Sequence, residues 1–207
     1  MQIFILGVDE AGRGPLAGPL AVGVVAHQEG IDLLEIFPKL NDSKKLSPAA
    51  REKLFTQLEE VAKTKLVRYA VHFSSAADID SNGLTHSIKS ALNKGVYELL
   101  PNAAEGKVYL DGSLSAPIEY TQETIVGGDG IHPAIMLASV AAKVLRDRYM
   151  VEIDSQYPEY GFAIHKGYGT KAHYEALTLH GSCPEHRQLF LRTFNEKEKA
   201  PRERGAS

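Results

Sequence analysis

A single cysteine, Cys183, occurs in 207 residues, so the chain can form neither an internal disulfide nor a thiolate zinc site. It precedes Pro184 with no recognisable base partner and reads as structural. Tryptophan is absent. No apolar run approaches the roughly 20 residues of a membrane helix, and Met1–Gly7 lacks the basic flank and cleavage site of a signal peptide. A cytoplasmic protein with no membrane contact is expected. Excess positive charge is missing too. The net charge is −3 and the pI about 6.2, so composition does not point to a polyanion binder. Any such attraction must be local. Arg13, Lys44, Lys45, Lys143, Arg146, Arg148, Lys166 and Lys171 gather around motif-like stretches rather than in one run, a distribution shared by ordinary solvated faces.

What is present is 43% hydrophobic residues, enough to bury one core without staples. Gln2–Val8 and Leu20–Ala26 are apolar, β-favouring runs on either side of a Gly/Pro-rich turn. Ser47 and Pro48 open a helix as N-cap and first residue, with Leu54, Leu58 and Val61 on its buried face, to about Lys63. Leu66–Phe73 alternates like a half-buried strand, Leu84–Leu100 is helical up to Pro101, and Lys107–Leu110 is a short strand. Pro133 to about Tyr157 is the strongest helix, stopped by Pro158. Two shorter helices are expected near Lys171–His180 and Pro184–Phe194. These elements predict an α/β fold, a mixed sheet flanked by helices, within a single domain over residues 1–195. Residues 196–207, charged and Pro/Gly-containing, are expected to form a disordered tail.

Asp9 and Glu10 sit where a strand gives way to Ala11-Gly12-Arg13-Gly14-Pro15, while Asp111 and Asp129 each follow an apolar run beside glycine. Four acids can therefore project from neighbouring strand ends. Hard cations such as Mg²⁺ or Mn²⁺ need such oxygen ligands, and two ions about 3.5–4 Å apart can drive phosphodiester cleavage. Each acid taken alone reads more readily as a turn residue, and only the set points to metal. Gly12-Arg13-Gly14-Pro15-Leu16-Ala17 also satisfies a dinucleotide fingerprint, with acids at Asp32 and Glu35 at a suitable distance. Pro15, Gly18 and Pro19 rule out the helix that fingerprint requires, and the chain resumes as a strand.

Gly7-Val8-Asp9-Glu10-Ala11-Gly12-Arg13-Gly14-Pro15, Asn41-Asp42-Ser43-Lys44-Lys45-Leu46, Leu110-Asp111-Gly112, Ala138-Ser139-Val140-Ala141-Ala142-Lys143 with Arg146-Asp147, and Tyr160-Gly161-Phe162 through His165-Lys166-Gly167-Tyr168-Gly169-Thr170 occur in one order. Together they resemble ribonuclease HII, over about residue 3 to Phe194. The resemblance implies a ribonuclease H-like fold with C-terminal helices. It implies Asp9, Glu10, Asp111 and Asp129 as catalytic residues and ligands of Mg²⁺ or Mn²⁺. It implies an endonuclease that cuts the RNA strand of RNA–DNA hybrids, and 5′ to single ribonucleotides in duplex DNA, leaving 3′-hydroxyl and 5′-phosphate ends. The related ribonuclease HIII is the alternative; Gly12-Arg13-Gly14 and the short N-terminus argue against it.

Substrate contacts follow from the same resemblance. Gly12, Arg13 and Gly14 would read the ribose 2′-hydroxyl, with glycines permitting close backbone approach and Arg13 on the adjacent phosphate. Tyr168 would pack against the sugar of the following deoxynucleotide. Lys44, Lys45, Lys143 and Lys166 are candidate phosphate contacts. Ser139, Lys143 and Asp147 share a helix face, with Asp147 either near the metal or in a surface ion pair. His165 is a candidate lining residue. One departure concerns Asp129: ribonuclease HII often has Lys-Gly-Asp there, where this chain has Gly127-Gly128-Asp129. Gln188, Leu191 and Phe194 resemble a sliding-clamp peptide, although core packing explains the same spacing. A monomer is expected.

Overall fold

The computed structural model describes residues 3–199. Five strands form one sheet in the order β3-β2-β1-β4-β5: β1 (Phe4–Ala11), β2 (Leu20–Gln28), β3 (Val67–Ser74), β4 (Gly106–Asp111) and β5 (Thr121–Ile125). The first three are an antiparallel meander, and β4 and β5 then add parallel to β1. The sheet is mixed, as expected. Its register matters for chemistry: Val8 lies opposite Leu110, so Asp9 and Asp111 stand one step further on at the same end.

The helices are α1 (Leu33–Ile36), α2 (Pro48–Lys63), α3 (Ala76–Asn82), α4 (Leu84–Leu99), α5 (Pro133–Asp154), α6 (Phe162–His165), α7 (Lys171–His180) and α8 (Gln188–Lys199). Ile88, Leu92 and Val96 of α4 cover one sheet face over Leu6, Val8, Val22 and Val24. On the other face Leu137, Val140 and Val144 of α5 pack with Phe55 and Leu58 of α2. Gly7 and Gly23 explain how close α5 comes. A Cβ on either would collide with the α5 backbone, at Ala134 and Ala138 respectively. A third cluster, including Met150, Tyr160, Phe162, Leu177 and Leu191, seats the C-terminal helices against the end of α5.

Most predicted elements appear within a few residues of expectation, and the departures have local causes. β1 continues past Val8 to Ala11, carrying Asp9 and Glu10 inside the ladder with β2. β5 has the sequence TQETI, with no buried residue, so no apolar alternation marked it. The short α1, α3 and α6 were also not anticipated. The last helix begins at Gln188 rather than Pro184, because residues 183–186 form a turn in which the His186 amide donates to the Cys183 carbonyl at 3.0 Å. It runs to Lys199, into the stretch expected as a tail; residues 200–207 lie outside the described residues.

Candidate active site

Asp9 reaches the site because β1 is pressed against α5. Its carboxylate, on the α5 side of the strand, accepts from the Glu10 amide at 2.7 Å and lies beside Ser139, whose hydroxyl lies 2.8 Å from that of Ser43. Asp111 ends β4. Asp129 sits in a single 3₁₀ turn, Gly128–Gly130, entered through Gly127 in the left-handed region at φ 70°. The backbone amide of Asp129 donates to Asp111 Oδ1 at 3.4 Å. Carboxylate oxygens of Asp9, Asp111 and Asp129 all fall within 4.8 Å of one another.

Glu10 is not part of this trio. Side chains alternate along a strand, so Glu10 leaves β1 on the opposite side from Asp9 and instead accepts from Arg13 Nη1 at 3.1 Å. It lines the same cavity, of about 300 Å³, together with Asp9, Gly12, Arg13, Gly14, Ser43, Lys44, Arg51, Asp111, Ser139, Lys143 and Tyr168.

Electrostatics show what the acids lack. Burial first, then the charges of Glu10 and Asp111, push the Asp9 carboxyl up to about 8. Burial raises Glu10 as well, opposed by Arg13. A divalent cation would relieve both penalties, since it replaces hydration and cancels the repulsion; the all-oxygen donor set suits Mg²⁺ or Mn²⁺. The residues therefore fit such an ion. Lys44 already places one positive charge there, its Nζ 2.6 Å from Asp129 Oδ2. The basic group missing beside Asp129 in sequence is thus supplied from the 42–46 turn.

The remaining candidates divide. Lys143 lines the cavity and pairs with Asp147 at 2.8 Å, which places Asp147 in an ion pair outside the trio. The Tyr168 ring faces the cavity with Lys143 Nζ 5.9 Å from its centroid. Lys45 points away and lies 3.8 Å from Asp42. Lys166 donates to the Ala163 carbonyl and lines a neighbouring groove with Arg51, Asp147 and Arg148. His165 stacks on His173, 4.4 Å between centroids, outside the cavity. Leu191 of the clamp-like pattern is fully buried and Phe194 packs on Tyr174, so this spacing serves the core. Sequence reasoning missed Arg51, which donates to the Ser43 and Leu46 carbonyls and shapes the Lys44 turn. Its position in the helix after that turn was the available signal.

Comparison with known proteins agrees with this geometry. The family model described as Ribonuclease HII matches residues 6–197. A ribonuclease HII of Ruminiclostridium cellulolyticum is 41% identical over 93% of this chain and 72% of its own length. One from a Polaromonas species is 40% identical over 90% and 89%. Among solved structures, ribonuclease H2 of Pyrococcus horikoshii superposes with a TM-score of 0.71 at 26% identity, covering 94% of this chain and 98% of that one. A Bst-RNase HIII shares the fold with a TM-score of 0.71 at 18% identity, over 97% of this chain and 71% of its own. The ribonuclease H-like architecture, the clustered acids and the match along nearly the whole sequence place this chain in the ribonuclease HII family of metal-dependent ribonucleases.

Proposed function

We propose that the protein is an endoribonuclease of RNA–DNA hybrids that also cuts duplex DNA 5′ to a single embedded ribonucleotide, in the service of ribonucleotide removal. The observation that carries this reading is convergence. Asp9, Asp111 and Asp129, the Gly12-Arg13-Gly14 loop and Tyr168 bound or adjoin one cavity although they are distant in sequence.

Asp9, Asp111 and Asp129, with Glu10 beside them, would hold two divalent ions, Mg²⁺ or Mn²⁺. When bound, these supply positive charge to activate a water and to stabilise the departing 3′-oxygen, giving 3′-hydroxyl and 5′-phosphate ends. The chain's own residues do the rest. Lys44 and Lys143 present ammonium groups to phosphate oxygens, and Arg13, half exposed and paired with Glu10, can turn to the neighbouring phosphate. Gly14 leaves its outward side empty: an added Cβ would meet nothing within 4 Å, so a sugar can approach the backbone there. Tyr168, 44% exposed, offers a ring face to the adjoining sugar. The Glu10 amide holds the Asp9 carboxylate beside the Ser139–Ser43 hydroxyl pair, and the closely packed α5 keeps water from its buried side. Among the described residues no histidine lines the cavity, which supports the 2′-hydroxyl serving recognition rather than attack.

The deciding experiment is cleavage of a labelled DNA duplex carrying one ribonucleotide, in Mg²⁺, Mn²⁺ or EDTA. Metal-dependent cutting 5′ to the ribonucleotide is expected, with a loss of about a hundredfold or more in Asp111→Asn. Cutting only of longer hybrids would favour ribonuclease HIII-like specificity; metal-independent binding without cleavage would favour a binding module. We further propose a cytoplasmic monomer. No described helix is long and apolar enough to cross a membrane, and light scattering checks the mass. A solved structure is titled as a PCNA:RNase HII complex from Archaeoglobus fulgidus. A clamp partner here would have to bind through something other than the buried Leu191.

A further inference from the structure

The loop from Gly12 to Pro19 turns through two left-handed glycines, Gly12 at φ 89° and Gly18 at φ 83°, and its carbonyl oxygens face inward. Two arginines collect them. Arg146 of α5 donates from Nε to the Pro19 carbonyl at 2.8 Å and from Nη2 to those of Ala17 at 3.2 Å and Lys166 at 3.1 Å. Arg187 donates from Nε to Gly18 at 2.9 Å, from Nη1 to Arg13 at 3.1 Å and from Nη2 to Gly12 at 2.7 Å. Both side chains are completely buried. Glycine at 12 is required by this arrangement, since a Cβ would run into the Arg146 guanidinium.

Neither arginine makes an ion pair among the described residues. Burial, with the charge of Arg146 next, lowers Arg187 to about 9, so it remains cationic at neutral pH. Two buried cations without carboxylate partners are costly, and loop closure by itself calls only for neutral donors. Their location supplies the missing reason. They stand directly behind the Gly12–Gly14 loop that lines the cavity and would face the nucleic acid, and Arg146 also lies 5.9 Å from the Tyr168 ring centroid while holding the carbonyl of Lys166, two residues earlier. One guanidinium thus touches both halves of the surface that meets the sugar.

We propose that Arg146 and Arg187 are positioning residues for ribonucleotide recognition. They lock the 12–19 backbone and the Tyr168 segment into one geometry, and their charge, in contact with no carboxylate and only partly offset by Asp80 and Asp147, favours the phosphate bound in front of them. This rests on the functional reading above. Lysine keeps the charge but cannot bond several carbonyls at once with a planar fork.

The test uses Arg146→Lys and Arg187→Lys in the full chain. Binding of Ca²⁺-loaded protein to a one-ribonucleotide duplex and to the all-DNA duplex would be compared by anisotropy, beside KM, kcat, Mn²⁺ titration and thermal melting. The expected result is that each variant melts cooperatively and binds Mn²⁺ like wild type. It should lose about tenfold or more of its preference for the ribonucleotide duplex, mainly through KM. Unchanged preference would overturn the proposal. Loss of cooperative melting in both variants would also overturn it, by assigning the arginines to folding alone. A wild type with no preference would instead sink the functional reading on which it rests.

Discussion

Asp9 and Glu10 are adjacent in sequence and separated in role, because a strand sends neighbouring side chains to opposite faces. Asp9 joins Asp111 and Asp129, while Glu10 holds Arg13. Glu10→Gln is therefore expected to leave binding of the first Mn²⁺ near wild type, and Asp111→Asn to weaken it about tenfold or more, as read by calorimetry. Comparable losses in both would refute the division. Lys44 competes with any ion for Asp129 Oδ2, being 2.6 Å from it. Lys44→Ala should then bind Mn²⁺ a few-fold more tightly while raising KM for substrate, since its ammonium no longer meets phosphate. The acids themselves were legible in sequence, as carboxylates beside glycines at strand ends. Which of them come together was not, since that depends on strand side and register. The same limit separates Lys44, on Asp129, from Lys45, on Asp42.

Among the elements, α5 carries the most of the site, and two glycines decide how close it comes. Gly23→Val places new atoms against the Ala138 backbone and is expected to cost about 1–3 kcal/mol in urea unfolding. It should also lower kcat, because the helix that moves carries Ser139, beside Asp9, and Lys143, which lines the same cavity. Normal activity with unchanged stability would show that close packing of α5 is dispensable. The α5 helix was readable from its Ala-rich spacing and flanking prolines. β5 was not, for its polar sequence gains strand character only by pairing with β4. Residues 184–186 read as the start of a helix from local pattern, but they belong to a turn whose His186 reaches a buried neighbour.

That neighbour opens a property of the whole molecule. The Cys183 amide donates to His186 Nδ1 at 3.0 Å, which leaves His186 Nε2–H to donate to His173 Nε2 at 3.0 Å and His173 Nδ1–H to the Tyr168 carbonyl at 2.9 Å. The chain of bonds requires both rings neutral. Burial, and then the charge of His173, lowers His186 from 6.5 to about 4. The unfolded chain takes up its proton near pH 6.5 and the folded one only near 4, so this stability is present above pH 6.5 and is lost as pH falls towards 4. By pH 5 the loss amounts to about 2 kcal/mol. Urea midpoints at pH 7.5 and 5.0 should differ more for wild type than for His186→Gln; equal differences would discount the pair. Net charge is the other global property. At −3, attraction for nucleic acid must come from the local lysines and arginines, so KM should rise steeply with salt. A flat salt response would contradict that account.

The sequence by itself determined the composition class, most helices and strands, the acids and the ordered motifs that mark the ribonuclease HII family, because periodicity, caps and turn residues are local properties. Tertiary structure alone decided which acids meet, which lysine faces them and that two arginines are buried behind the 12–19 loop. Those outcomes depend on strand register, on the side of the sheet and on how closely one helix can approach, and none of these is a property of any short stretch of chain.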